Sequence, residues 1–256
     1  MMRRVLGVVV MAVAAVAPGI SAADPMVQFN LIAPSPGGNL LISSTTYQDI
    51  GIDAFYRDPS TSGHPFIPTN IFVRNEGPYD VGLGVCSPGE IHCGAVGTFT
   101  GRGGDQNELT NVDQDHRELI RLTLPEGETW THVYISSLDC NSDPSCGGSA
   151  EPERGRLYYG SSADPNASRT LLTSFSGSNS ALDDFALTGA AASAKYLFFL
   201  PGDGTTTGNN DYLVRGVDVV DVAPEPGTLL LLGSGLSGVG FLMRRRRAHK
   251  VPILRP

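Results

Sequence analysis

Glu118-Leu119-Ile120-Arg121-Leu122-Thr123-Leu124 alternates between apolar and polar positions, so an extended chain places Ile120, Leu122 and Leu124 on one side. Thr131-His132-Val133-Tyr134-Ile135 repeats the pattern with Val133 and Ile135 inward. Pro125 to Trp130 separates the two runs by the length of a loop, and an antiparallel hairpin is expected there. Shorter runs of the same kind lie at Met26–Ile32, Asn39–Ser43, Ile52–Arg57, Ile71–Asn75 and Val81–Cys86. Others follow at Arg156–Tyr159, Thr170–Phe175, Phe185–Thr188, Tyr196–Leu200 and Tyr212–Val222. The chain's 31 glycines and 18 prolines punctuate these runs. Asp58–Gly63, Gly97–Asn107 and Gly202–Asn210 read as polar, glycine-rich surface loops. A long helical period is missing from the body; Ala186–Ala194 predicts only a short helix, with Gly189 inside it. Many short strands between turn signals predict an all-β body, an antiparallel β-sandwich of jelly-roll type.

The two ends follow different patterns. Met1-Met2-Arg3-Arg4 precedes a nearly unbroken apolar run from Val5 to Ala17, a Pro18-Gly19 break and the small residues Ser21-Ala22-Ala23. This order predicts a secretory signal peptide over residues 1–23, cleaved after Ala23, and a body over residues 24–222. At the other end, Pro224-Glu225-Pro226-Gly227 continues neither strand nor helix, because its prolines lack donors and fix their own dihedrals. Thr228 to Met243 then carries no charge. As a transmembrane helix this segment is about 24 Å long, slightly short of a ~30 Å hydrocarbon core. The stop-transfer cluster Arg244, Arg245, Arg246 and Arg247 snorkels to make up the difference and faces the cytoplasm. Residues 223–247 are therefore read as one unit, with 248–256 as a cytoplasmic tail. Ser234 and Gly238 place a small-xxx-small pair on that helix.

Charge sharpens the picture once the ends are removed. Residues 1–23 and 227–256 hold eight of the 18 basic residues and none of the 26 acidic ones, so residues 24–226 carry 10 basic and 26 acidic side chains, a net charge of −16. Such a surface repels nucleic acid, which is excluded as a partner. Four cysteines, Cys86, Cys93, Cys140 and Cys146, in an exported chain imply two disulfides. Three pairings are open. The short-loop set, Cys86–Cys93 and Cys140–Cys146, is preferred because each pair brackets a turn-rich segment. The rival is a zinc site with His92, although neither cysteine pair has common zinc-knuckle spacing.

Catalytic signatures are sparse. There is no G-x-S-x-G elbow, and His64, His92, His116 and His132 are isolated in sequence. Gly101-Arg102-Gly103-Gly104 lacks the frame and the lysine of a phosphate loop. No cofactor is expected: the acidic loops read as solvated surface, and calcium is the alternative, for which Asp113, Asp115 and Glu118 supply closely spaced carboxylates. Asp203, Asn209 and Asp211 supply further oxygens, and Arg117 rules out an EF-hand. Trp130, Tyr134, Tyr158, Tyr159 and Tyr212 form a carbohydrate platform if several share a face.

Pro224, Glu225 and Pro226, then a leucine- and glycine-rich span, then an arginine cluster, together resemble the PEP-CTERM sorting signal. Ala223 stands where that family often has valine, and nine residues follow the arginines. The resemblance implies export by a Gram-negative bacterium, passage through the export machinery and transient residence in the inner membrane. It also implies cleavage at Pro-Glu-Pro by exosortase and deployment at the cell surface or in exopolysaccharide. More loosely, Val81-Gly82-Leu83-Gly84-Val85, Asn107-Glu108-Leu109 and the terminal strand Asn210–Val219 resemble the β-sandwich bodies that precede this signal. The expected role is non-enzymatic: structural, adhesive or glycan-binding. An exported glycan-active enzyme with the same signal is the alternative.

Overall fold

A computed structural model describes residues 27–32, 39–57, 61–75, 81–88, 93, 97–99, 108–109, 117–138, 153–176, 183–202, 211–222, 234 and 237. Strands dominate among them, and all strand pairs are antiparallel. In chain order they are β1 (Val27–Gln28), β2 (Asn39–Ile42), β3 (Thr45–Tyr47), β4 (Ile50–Arg57) and β5 (Phe66–Asn75). There follow β6 (Val81–Cys86), β7 (Gly97–Phe99), β8 (Glu118–Thr123), β9 (Glu128–Ser136) and β10 (Arg154–Gly160). The last are β11 (Thr170–Ser176), β12 (Asp183–Ala186), β13 (Tyr196–Pro201) and β14 (Leu213–Asp221). The all-β expectation therefore holds. Among the described residues, no helix is long and apolar enough to cross a membrane. The signal peptide, the tail and the sorting segment apart from Ser234 and Ser237 lie outside them.

Most strands follow one hydrogen-bonded path, β11-β10-β13-β8-β4-β5-β6-β14-β9-β12, with β1, β2, β3 and β7 paired off it. β5 is the hinge of that path. Its first half pairs with β4, from Arg57↔Phe66 to Ala54↔Thr69. Its second half pairs with β6, from Asn70↔Cys86 to Asn75↔Val81, and with β2 on its other edge. Both parts of the path feed one core. Ile52, Ile120, Leu122, Leu197 and Phe199 come from the first part, and Val73, Leu83, Trp130, Val133, Ile135, Val214 and Val217 from the second. Burial of these side chains is the main source of stability.

The first part is also covered on its outer face. Phe55, Phe66, Leu119, Phe198 and Leu200 form a second cluster, joined by Tyr158 and Tyr196. This explains the continuous apolar run of β13, buried on both sides. The guanidinium of Arg169 lies 5.3–5.7 Å from the Phe66, Tyr158 and Phe198 ring centres. The connection after β10 folds over this face. Asn166 accepts from Phe66 N at 2.7 Å and donates to Phe66 O at 3.1 Å.

Several local expectations are corrected. β8 and β9 are not partners: β8 lies between β4 and β13, and β9 between β14 and β12. Both edges of β8 are occupied by non-local strands, and the connection through Gly127, at φ 83°, carries the chain from one part of the path to the other. Met26–Ile32 becomes a two-residue strand followed by a 3-10 turn, Phe29–Ile32, with Phe29 fully buried. The alanine-rich segment gives a single helical turn, α1 (Gly189–Ala192). β3 and β7 were not expected at all, and β7 lies in a segment read as a surface loop.

Cys86 and Cys93 form a disulfide across seven residues, as expected; Cys140, Cys146 and His92 lie outside the described residues. The loop-entropy relation gives this short bridge about 2.5 kcal/mol of stabilisation. A double variant, Cys86→Ser with Cys93→Ser, is expected to lose about that much in urea unfolding. An unchanged midpoint would contradict this.

Candidate functional site

Glu118, one of the three residues named for calcium, opens β8 and is buried, and its carboxylate accepts a hydrogen bond from Ser87 Oγ. Asp113 and Asp115 lie outside the described residues, as do Asp203 and Asn209, while Asp211 is buried. Among the described residues no three His, Cys, Asp or Glu side chains group as a metal site.

The aromatic residues named for sugar stacking do not share a face. Trp130 and Tyr212 are fully buried; Trp130 Nε1 donates to the Ala194 carbonyl at 2.9 Å, and the Tyr212 hydroxyl to the Leu200 carbonyl at 2.9 Å. Burial holds the Tyr212 phenol well above its ordinary pKa. Tyr158 joins the outer cluster beneath Arg169, whereas the next residue, Tyr159, packs on the main core. The pleat explains this split, since adjacent strand residues point to opposite faces.

Sequence reading missed one constellation. His132 and Tyr134 are two apart on β9 and so share a face, and Asp218 of β14 stands opposite His132. The Tyr134 hydroxyl donates to Asp218 Oδ2 at 2.6 Å, and His132 Nδ1 lies 3.7 Å from the same oxygen. The i, i+2 spacing was visible in the sequence, but the carboxylate comes from 84 residues away. Burial, and then the hydrogen bond to Asp218, push the Tyr134 phenol up to about 12. A phenol so held is neutral at physiological pH and serves as a hydrogen-bond donor, not a nucleophile. The ordinary value is 10.0, so the stabilisation from neutral Tyr134 is complete below pH 10.0 and is lost as pH rises towards about 12. Difference absorbance is expected to show Tyr134 ionising at a lower pH in Asp218→Asn than in the parent, because the substitution removes the neighbouring charge that adds to burial in holding the proton. Identical titrations would contradict the assignment.

The end of β14 leads to the sorting segment. β14 is a central strand, between β6 and β9, and it ends at Asp221. Val222 N donates to the Gly127 carbonyl at 2.8 Å. Every described residue of the buried clusters lies between Val27 and Val219. Pro224, Glu225 and Pro226, and Arg244 to Arg247, lie outside the described residues. No curated protein matches the chain significantly. Residues 222–247 match the family model of the PEP-CTERM protein-sorting motif. The chain therefore carries a PEP-CTERM sorting motif consistent with an exosortase substrate, which implies an exported, membrane-anchored precursor sorted to the cell surface.

Proposed function

We propose that this protein is a non-enzymatic exported β-sandwich, cut by exosortase at Pro224-Glu225-Pro226 and left at the cell surface or in the exopolysaccharide matrix. Its body there has a structural, adhesive or glycan-binding role. One observation carries the reading: the motif match begins at residue 222, where the last core strand has just ended. A cut at Pro-Glu-Pro removes none of the described core residues. The cleaved body keeps β14 in the middle of its sheet and sheds the apolar span, as a protein destined for the outside requires.

Substitution of the motif tests this. A variant with Pro224→Ala, Glu225→Ala and Pro226→Ala is expected to accumulate in the membrane fraction of the native host, while the parent protein leaves it. Equal release of parent and variant would overturn the reading.

A further inference from the structure

β4 changes partners at Asp53. Ala54 pairs with Thr69 of β5, whereas Ile52 pairs with Thr45 of β3. β5 departs at this point for the second part of the path, where Asn70 pairs with Cys86. The departure leaves a groove of about 420 Å³, lined among others by Ser43, Ser44, Asp53, Pro68, Asn70 and Arg121. Asp53 and Arg121 stand directly opposite each other on β4 and β8. Arg121 donates to Asp53 Oδ2 from Nη2 at 2.6 Å and from Nε at 3.2 Å. Its guanidinium lies 5.2 Å from the Phe55 ring centre and also donates to the Ala163 carbonyl. The pair is thus fixed before any ligand arrives. Among the described residues, the side chains of Ser43, Ser44 and Asn70 and the second oxygen of Asp53 make no hydrogen bond.

We propose that this groove is a binding subsite for an uncharged saccharide. The ion pair cancels its own charge, so the groove itself carries no net charge to hold an ionic ligand. An anionic glycan meets Asp53 and a body of net charge −16, and a cationic ligand meets Arg121. What remains is a carboxylate oxygen that accepts, an amide that both donates and accepts, and two hydroxyls. Neighbouring sugar hydroxyls, each a donor and an acceptor, satisfy that set. Pro68 is exposed and offers an apolar wall to the C–H face of a ring. The strand switch also supplies rigidity, since each polar group sits on or beside a paired strand. This inference deepens the glycan-binding role and rests on that reading for the source of its ligand.

The test is calorimetric titration of the full-length protein with short neutral oligosaccharides of glucose, mannose and galactose, and with oligogalacturonate. The expected result is saturable binding of at least one neutral probe and weaker binding of oligogalacturonate. Asn70→Ala is expected to weaken binding about tenfold, the loss of one hydrogen-bond partner, with an unchanged unfolding midpoint. Asp53→Asn is expected to weaken binding as well. Ser44→Ala gives a second variant that leaves the ion pair intact, and it should weaken binding to a smaller extent. The proposal is overturned if no neutral probe binds, if Asn70→Ala and Ser44→Ala bind like the parent, or if oligogalacturonate binds best. Cleavage at Pro-Glu-Pro does not involve Asn70. Absent binding with normal cleavage removes the subsite alone, and failed cleavage with normal binding removes the address alone.

Discussion

Glu108→Ala is expected to lower the unfolding free energy by about 3–5 kcal/mol, the cost of leaving one member of a buried ion pair without the other. Arg74 of β5 donates to the Glu108 carboxylate, and the two side chains are only 3% and 4% exposed. Ser137 Oγ donates to the same carboxylate oxygen at 3.0 Å. The backbone is held too: Leu109 N donates to the Tyr212 carbonyl at 2.8 Å, and fully buried Leu109 joins the main core. Loss of the carboxylate removes this charged partner from a desolvated guanidinium and loosens the segment that docks there. Glu108→Gln keeps the shape and should cost less, because only the charge is lost. The Asp53–Arg121 pair is a useful contrast. Its side chains are 26% and 16% exposed, and breaking it should cost no more than about 1 kcal/mol. Urea unfolding followed by far-ultraviolet circular dichroism separates these outcomes. Equal losses for the two pairs would mean that burial does not set their strength.

Trp130→Ala is expected to cost about 3–5 kcal/mol, the range for truncating a large buried aromatic side chain. Trp130 has no exposed surface and packs in the main core. Its indole N–H also ties β9 to the Ala194 carbonyl, just beyond α1. The substitution opens a cavity and orphans that carbonyl, and the surrounding sheet cannot collapse to fill the space. A residue used only for surface stacking on a glycan would cost little to remove. A thermal midpoint close to the parent's would show that Trp130 is not a core residue.

How much of this was legible in the sequence depended on how local each signal is. The alternation at Glu118–Leu124 and the run Val81–Cys86 located β8 and β6, because one pleated strand reports its own faces. Pro68 hid the first half of β5, since proline argues against a strand unless its missing donor is not needed. The loop length between β8 and β9 favoured a hairpin, yet each strand found distant partners on both edges. Arg74 and Glu108 lie 34 residues apart, and neither position reveals alone that it is buried with an opposite charge. The groove at Asp53 exists because β5 leaves β4, a topological event without a local residue pattern. The sorting motif is the opposite case. It is linear, and the residues quoted for it fall within the matched segment 222–247.

Release of the body from its anchor is proposed to occur at Pro-Glu-Pro. The most direct measurement is the intact mass of the protein from envelope and medium fractions of its native host, with and without exosortase. A mass that lacks the segment after Pro-Glu-Pro is expected only when the enzyme is present. An uncut C-terminus retained in the membrane in both strains would contradict it and leave a plainly anchored ectodomain.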